Sequence, residues 1–298
     1  MKPELVLQPD QFSSFTSYYL ESLWRRYFDI KIYDPTQNYS KKTLFVFWWM
    51  NAHDPVVNEL HSQGHKIVID NLWEVPDKNS NQYYQLFNPN WVWWNESLWW
   101  RSLGYNQYRP NRTYKKTALM QIGRVSDIRD WIVDHLGPLK DQMIWSYKDQ
   151  RLPNDDYIGQ DVNQRFMNPQ WYDNTCINLV VETRQHGKIY WATEKTFKAC
   201  AYYQPMLIIG QTETLQWLKQ HGFETFDNLF DESYDQEPVF EKRFDMILQN
   251  LQNIGHDPYS VETQQKLEHN HHHFFDETKA IQGIVTEIIE PLLHYAET

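Results

Sequence analysis

The densest chemistry in this 298-residue chain lies between Glu182 and Lys198. The apolar run INLVVE at 177–182 ends on a carboxylate, a polar excursion TRQHGKIYWA follows, and a helix then opens on Thr193 with Glu194, Lys195 and Lys198 behind it. Threonine is a good N-cap, and the uncovered N–H groups of a first helical turn attract anions. A lysine beside them adds a point charge for phosphate, while the carboxylates of Glu182 and Glu194 can accept from ribose or sugar hydroxyls. That set suits a diphosphate joined to a sugar. An ordinary capped helix whose Lys and Glu face solvent would carry the same letters, so spacing alone leaves both readings open.

Two other groups invite chemistry. The cluster HNHHH at 269–273 suggests a metal, yet only His269 and His273 have the i, i+4 spacing that shares a helical face, and a pair without a third ligand is weak. Packing is the expected role, and no metal site is assigned. Cys176 and Cys200 fall inside apolar segments and are expected to be free thiols.

The elements that must position these residues alternate in type. TLFVFWW at 43–49 reads as a strand, Pro55 to Leu60 as the start of a short helix that Gly64 can end, and KIVID at 66–70 as a second strand. A strand–helix–strand unit implies parallel pairing. WVWW at 91–94 reads as a further strand, and the polar stretch from Gly104 to Tyr114, with Pro110, as an interdomain linker. Beyond it TALMQI at 117–122, a helix from about Ser126 to Leu136, QMIWSY at 142–147, INLVVE, the helix from Thr193 to Ala201, MLIIG at 206–210 and a helix from Thr212 to Gln220 form a second alternating series. The tail is helical, with Phe240, Phe244, Ile247, Leu248 and Leu251 on one face, and Ile281, Ile284, Val285, Ile288 and Ile289 on another. The expected fold is α/β: two Rossmann-like domains facing a cleft, residues 1–112 on the acceptor side and 113–298 on the nucleotide-sugar side, with the last helix a candidate to cross back. In such sheets ligands bind outside the carboxyl ends of the strands, which is where Glu182 and Thr193 fall.

The run INLVVETRQHGKIYWATEKTFKACAYYQPMLIIG resembles the donor-binding segment of GT-B glycosyltransferases related to the α-1,3-fucosyltransferases, which pairs a strand ending in Glu with a T-E-K or S-E-K helix start, a small-residue helix, Pro and an apolar strand. LQWLKQHGFETFDNLFDESYD at 215–235 is similar to the version in uncharacterised phage and bacterial relatives. The resemblance covers about residues 114–275. It implies that Glu194 contacts the nucleotide or its sugar and that Lys195 contacts phosphate. It also implies phosphate roles for Arg124, just after the first strand of that half, and Arg129 on the following helix, where a planar, permanently charged fork would give two parallel bonds. The phage relatives carry a segment like His269–Phe275, which supports the packing role.

WVWWNES at 91–97 is similar to the fucosyltransferase strand W-V-W-x-N-x-E-S, whose Glu is proposed to deprotonate the attacking hydroxyl; this chain has one residue fewer before Glu96. A carboxylate walled by tryptophans would have its pKa raised toward neutrality and suit a general base. His53 and Asp54, at the end of the TLFVFWW strand, are the rival base pair. The resemblance implies a glycosyltransferase that is inverting and metal-independent, needs no cofactor beyond its nucleotide-sugar cosubstrate, has GDP-fucose as leading donor, and uses a glycan or other hydroxyl acceptor.

A formal charge of −11 argues against a protein that relies on broad attraction to a phosphate backbone, so a nucleic-acid partner is not expected. No run of eighteen apolar residues occurs and the N-terminus lacks a signal-peptide pattern, so no membrane span and a cytoplasmic location are expected. The 14 Trp and 19 Tyr are expected to fill cores and interfaces. Two rival functions stay open: a phage enzyme that glycosylates a hydroxymethylated DNA base, and a non-catalytic nucleotide-sugar-binding module without a usable base.

Overall fold

The computed structural model describes residues 2–8, 18–48, 54–71, 83–153, 168–187, 192–254 and 258–298. They form two compact units, Met1–Ser102 with Glu277–Thr298, and Leu103–Asp276. Each unit is built on a parallel sheet with helical crossovers, the α/β arrangement of a Rossmann-like domain. His53 lies outside the described residues.

In the first unit, β1 (Glu4–Leu7), β2 (Asp29–Ile32), β3 (Leu44–Trp48), β4 (Lys66–Asp70) and β5 (Tyr84–Leu86) lie in the order β2-β1-β3-β4-β5. The TLFVFWW and KIVID segments become β3 and β4, paired from Leu44 opposite Lys66 to Trp48 opposite Asp70. Leu44, Phe45, Val46 and Phe47 are all buried, as expected where helices cover both faces of a parallel sheet. Between them the helix Pro55–Ser62 is capped by Asp54, whose Oδ1 accepts from Val56 N at 2.9 Å, and ends at Gly64, which holds φ at +79°.

WVWW is not a strand. It opens the helix Trp91–Ser102, in which Trp91, Val92, Trp93, Trp94, Asn95, Glu96, Ser97, Leu98 and Trp100 are all buried. Asn88 starts that helix: its Oδ1 accepts from Asn90 N and its carbonyl from Trp91 N. A helix buried nearly all round shows no 3.6-residue period, and Trp and Val then score as strand formers until burial overrides that preference.

The C-terminal residues return to this unit as the helix Glu277–Ile284, a π-helical turn Val285–Ile289 and the helix Glu290–Glu297. Ile284, Ile288, Ile289 and Leu292 are fully buried, so the apolar stripe read from the sequence faces a core. Pro291 lacks an N–H and its ring would press on the carbonyl of Glu287, and the widened turn precedes it. Lys66 donates to the carbonyls of Tyr295 (2.9 Å) and Ala296 (2.7 Å), satisfying the end of the last helix.

In the second unit, β6 (Lys116–Gln121), β7 (Met143–Ser146), β8 (Thr175–Val181) and β9 (Met206–Ile209) lie in the order β7-β6-β8-β9. All four coincide with the apolar runs read from the sequence. The helices Asp127–His135, Glu194–Ala201 and Thr214–Gln220 follow β6, β8 and β9, and Phe240–Gln252 and Val261–Phe274 complete the unit. The polar 104–114 stretch packs here: Arg112 donates to the carbonyls of Tyr172 (2.9 Å), Tyr202 (2.8 Å) and Tyr203, and Tyr108 bonds Asp173. Both cysteines are free thiols, Cys200 buried and Cys176 half-buried. Among the described residues no helix is long and apolar enough to cross a membrane.

Gly283 faces the Trp94 ring so closely that an added Cβ would overlap it. Helix propensity alone would make Gly283→Ala stabilising by about 1 kcal/mol. Overpacking against a buried indole should reverse the sign and cost about 1–3 kcal/mol. Urea denaturation should therefore show a lower midpoint for the variant, and a raised one would mean that the ring has room to move.

Candidate functional site

The second unit gathers its sequence-predicted residues at the carboxyl end of β8. Glu182 follows that strand, is 2% exposed, and directs its carboxylate at the start of the next helix. Its Oε1 accepts from Thr193 N at 2.9 Å and from Thr196 Oγ1 at 2.6 Å, and its Oε2 from Thr193 Oγ1 at 2.5 Å. One buried carboxylate thus binds three donors from the first turn, and the negative charge lies where the helix dipole favours it. Thr193 is the N-cap, its Oγ1 accepting from Lys195 N at 3.4 Å.

Glu194 and Lys195 come next on the helix. Their ion pair, Nζ to Oε1 at 2.8 Å, is mostly enclosed, and the same Nζ lies 3.3 Å from Thr193 Oγ1. Burial would raise the Glu194 carboxyl, but the charges of Lys195 and Lys198 and the Lys195 hydrogen bond outweigh it and bring the group to about 2. Lys198 is itself buried, 4% exposed.

Arg129, in the helix after β6, is also 4% exposed. Among the described residues its one hydrogen bond runs from Nη1 to the carbonyl of Arg124 at 3.0 Å. Burial lowers its pKa, while the charges of Glu182 and Glu194 raise it, so this cation belongs to the same electrostatic cluster without a direct ion pair among the described residues. Most of its N–H groups remain for another acceptor. Arg124 is exposed on the loop after β6.

Glu96 and Asp54 belong to the first unit. Glu96 is 1% exposed within the Trp91–Ser102 helix, not on the strand expected from the W-V-W pattern. Asp54 is half-buried and serves its helix as N-cap.

Several residues at the β8 end were not read from the sequence. Thr196 completes the Glu182 set. Gln185, 4% exposed, donates from Nε2 to the Glu182 carbonyl at 2.6 Å, and Gln211 donates to the His186 carbonyl at 2.6 Å. Arg243 donates to the Gln185 carbonyl at 2.8 Å. Only Arg243 had a visible signal, since it interrupts the stripe of Phe240, Phe244, Ile247 and Leu251 with a charge.

The histidines of HNHHH lie in the Val261–Phe274 helix. The Nε2 atoms of His269 and His273 each lie 2.8 Å from a carbonyl of the same loop, Gly222 and His221 respectively. His271 is buried, stacked on Tyr203 at 4.0 Å, with Nε2 3.2 Å from the Asn106 carbonyl. All three pack against neighbouring parts of the unit.

No family model matches this chain, and no curated protein matches it. Among solved structures it is similar to an α1,3-fucosyltransferase crystallised with GDP, at a TM-score of 0.54 and 13% identity, over 98% of this chain and 91% of that one. A second α1,3-fucosyltransferase structure matches at a TM-score of 0.50 and 14% identity, over 92% and 90%. The chain has the fold of an α1,3-fucosyltransferase. The two parallel sheets are therefore the two Rossmann-like domains of the GT-B class, and the resemblance read from the donor-segment residues extends in fold over nearly the whole chain.

A histidine in solvent titrates near 6.5, and burial, offset only in part by backbone acceptors, holds His271 at about 4. The unfolded chain then takes up the proton first, so the stability this group contributes is fully present above pH ~6.5 and is lost as the pH falls toward ~4. Between pH 7.5 and pH 5 the loss should be on the order of 2 kcal/mol. Urea titrations of wild type and His271→Gln at both pH values check this, and equal pH dependence in the two proteins would refute it.

Proposed function

We propose that this chain is a glycosyltransferase that moves a sugar from a nucleoside diphosphate to an acceptor hydroxyl, with inversion and without an essential divalent ion. The observation that carries the reading is the buried, largely unspent guanidinium of Arg129 in one electrostatic cluster with the Lys195 helix start, at the strand end where α/β sheets bind ligands. Arg129, Lys195 and the exposed Arg124 would hold the diphosphate and stabilise its charge as it leaves. Lys198 would add charge from within the helix. Glu194 would accept from a ribose or sugar hydroxyl once Lys195 turns to phosphate. Glu182 has one acceptor position left on Oε2 after its three bonds, so its main contribution would be to fix the helix start, with Thr193 as the cap between them.

GDP-fucose is the proposed donor, supported by the GDP in the similar solved structure. Glu96 is the proposed general base, supported by its burial among tryptophans, and Asp54 with His53 is the rival. The acceptor would be a glycan or another hydroxyl compound.

Titration calorimetry with GDP, UDP, ADP and CDP tests the donor half. GDP should bind, and Lys195→Ala should weaken it by about 1.5–3 kcal/mol, the range for a hydrogen bond to a charged group. Binding of none of the four would sink the proposal, and equal affinity in the variant would leave Lys195 only the ion-pair partner of Glu194.

The base half is tested separately. Glu96→Gln should lower transfer by roughly 10²- to 10⁴-fold at saturating donor while GDP affinity stays within about twofold. Should Asp54→Asn show that loss while Glu96→Gln transfers within about threefold of wild type, the base would be the rival pair.

A further inference from the structure

Arg243 lies in the apolar stripe of the helix Phe240–Gln252 and is 2% exposed. A guanidinium so buried must find partners that offset its lost hydration. Its Nη2 donates to the Gln185 carbonyl at 2.8 Å and its Nη1 to the Glu237 carbonyl at 2.5 Å. Its charged end lies 5.5 Å from the Phe240 ring centroid, and Asp235 and Glu237 supply compensating negative charge. Its Nε–H is buried with no hydrogen-bond partner among the described residues. That is an incomplete arrangement for a residue whose only task is packing, because a methionine would fill the stripe without the desolvation.

What the arginine holds is the turn that follows β8. Gln185 uses its carbonyl on Arg243 and its side chain on the Glu182 carbonyl at 2.6 Å. Two residues on, Gly187 adopts φ +115°, and Gln211 secures the intervening His186 carbonyl. Glu182 in turn binds Thr193 and Thr196. Asp235, near Arg243, accepts from Leu215 N (3.0 Å) and Gln216 N (3.2 Å) at the start of the helix after β9. The fork of Arg243 therefore lies among the contacts that set two helix starts.

We infer that Arg243 is a positioning residue for the donor site: by fixing the Gln185 carbonyl it holds the 182–187 turn, and through Glu182 the helix start that presents Glu194 and Lys195. The inference rests on the donor-site reading above. Arg243 touches no ligand in this scheme. It acts through Gln185 and Glu182, so its loss should reach ligand affinity only by way of the turn.

Arg243→Gln and Arg243→Lys in the full chain test this with two independent readouts. In hydrogen exchange without ligand, Arg243→Gln should speed exchange in peptides covering 182–187 and 193–197 while those covering Phe240–Gln252 keep their protection. GDP affinity by calorimetry should weaken on the order of 10- to 100-fold, as for displacement of binding groups from a distance, and Arg243→Lys, which can keep one carbonyl bond, should recover part of both changes. A packing role alone would loosen the Phe240–Gln252 helix itself and spare GDP affinity, and that outcome would overturn the inference. If wild type binds no GDP, the donor reading fails, and the exchange pattern still decides whether Arg243 governs the turn; unchanged exchange at 182–187 overturns it in either case.

Discussion

The arrangement depends most on the Glu182 carboxylate. A buried carboxylate is tolerated only when its oxygens are well supplied with donors, and Glu182 takes three from residues 193 and 196, eleven and fourteen positions further along the chain. The bonds close the loop between β8 and the next helix, and they fix where that helix begins. The placement of Glu194 and Lys195 follows from that point, because they are its first two residues. The dipole of the same helix, in turn, favours the negative charge. Clamp and helix start thus support each other.

Around the clamp, charge is concentrated where water is scarce. Arg129 and Lys198 are each 4% exposed, and Lys195 is largely covered, while Glu182 and Glu194 are the facing carboxylates. Arg129, Lys195 and Lys198 thus share a region of low dielectric with Glu182 and Glu194. Interactions there are far stronger than between the same groups in bulk water. Arg129 has no direct ion pair among the described residues. In the donor reading proposed above, the diphosphate would be its partner.

Much of this was legible in the sequence. The parallel strands β3, β4 and β6 to β9 each carry an apolar run, and Thr193-Glu194-Lys195 stands out by cap chemistry and by resemblance. What escaped did so for physical reasons. WVWW was misread because a helix buried nearly all round has no polar face to set a period. β1, β2 and β5 are three or four residues long, too short for alternation to register. Gln185, Thr196 and Gln211 act through hydrogen bonds to a loop, and a bond of that kind has no periodic signature. Arg243 is the intermediate case: a charge in an apolar stripe can be seen, but its partner, a carbonyl 58 residues earlier, cannot.

The overall charge of −11 and the local cationic cluster belong together. A broad acidic surface repels extended polyanions, whose binding draws on many dispersed phosphate contacts. A compact diphosphate needs only a few donors, provided they are rigid and screened from water. Salt weakens the long-range repulsion at the surface much more than it weakens interactions at a buried site. An acidic chain is therefore compatible with the donor reading proposed above, in which a few buried donors at a firmly held helix start would suffice for a small anion.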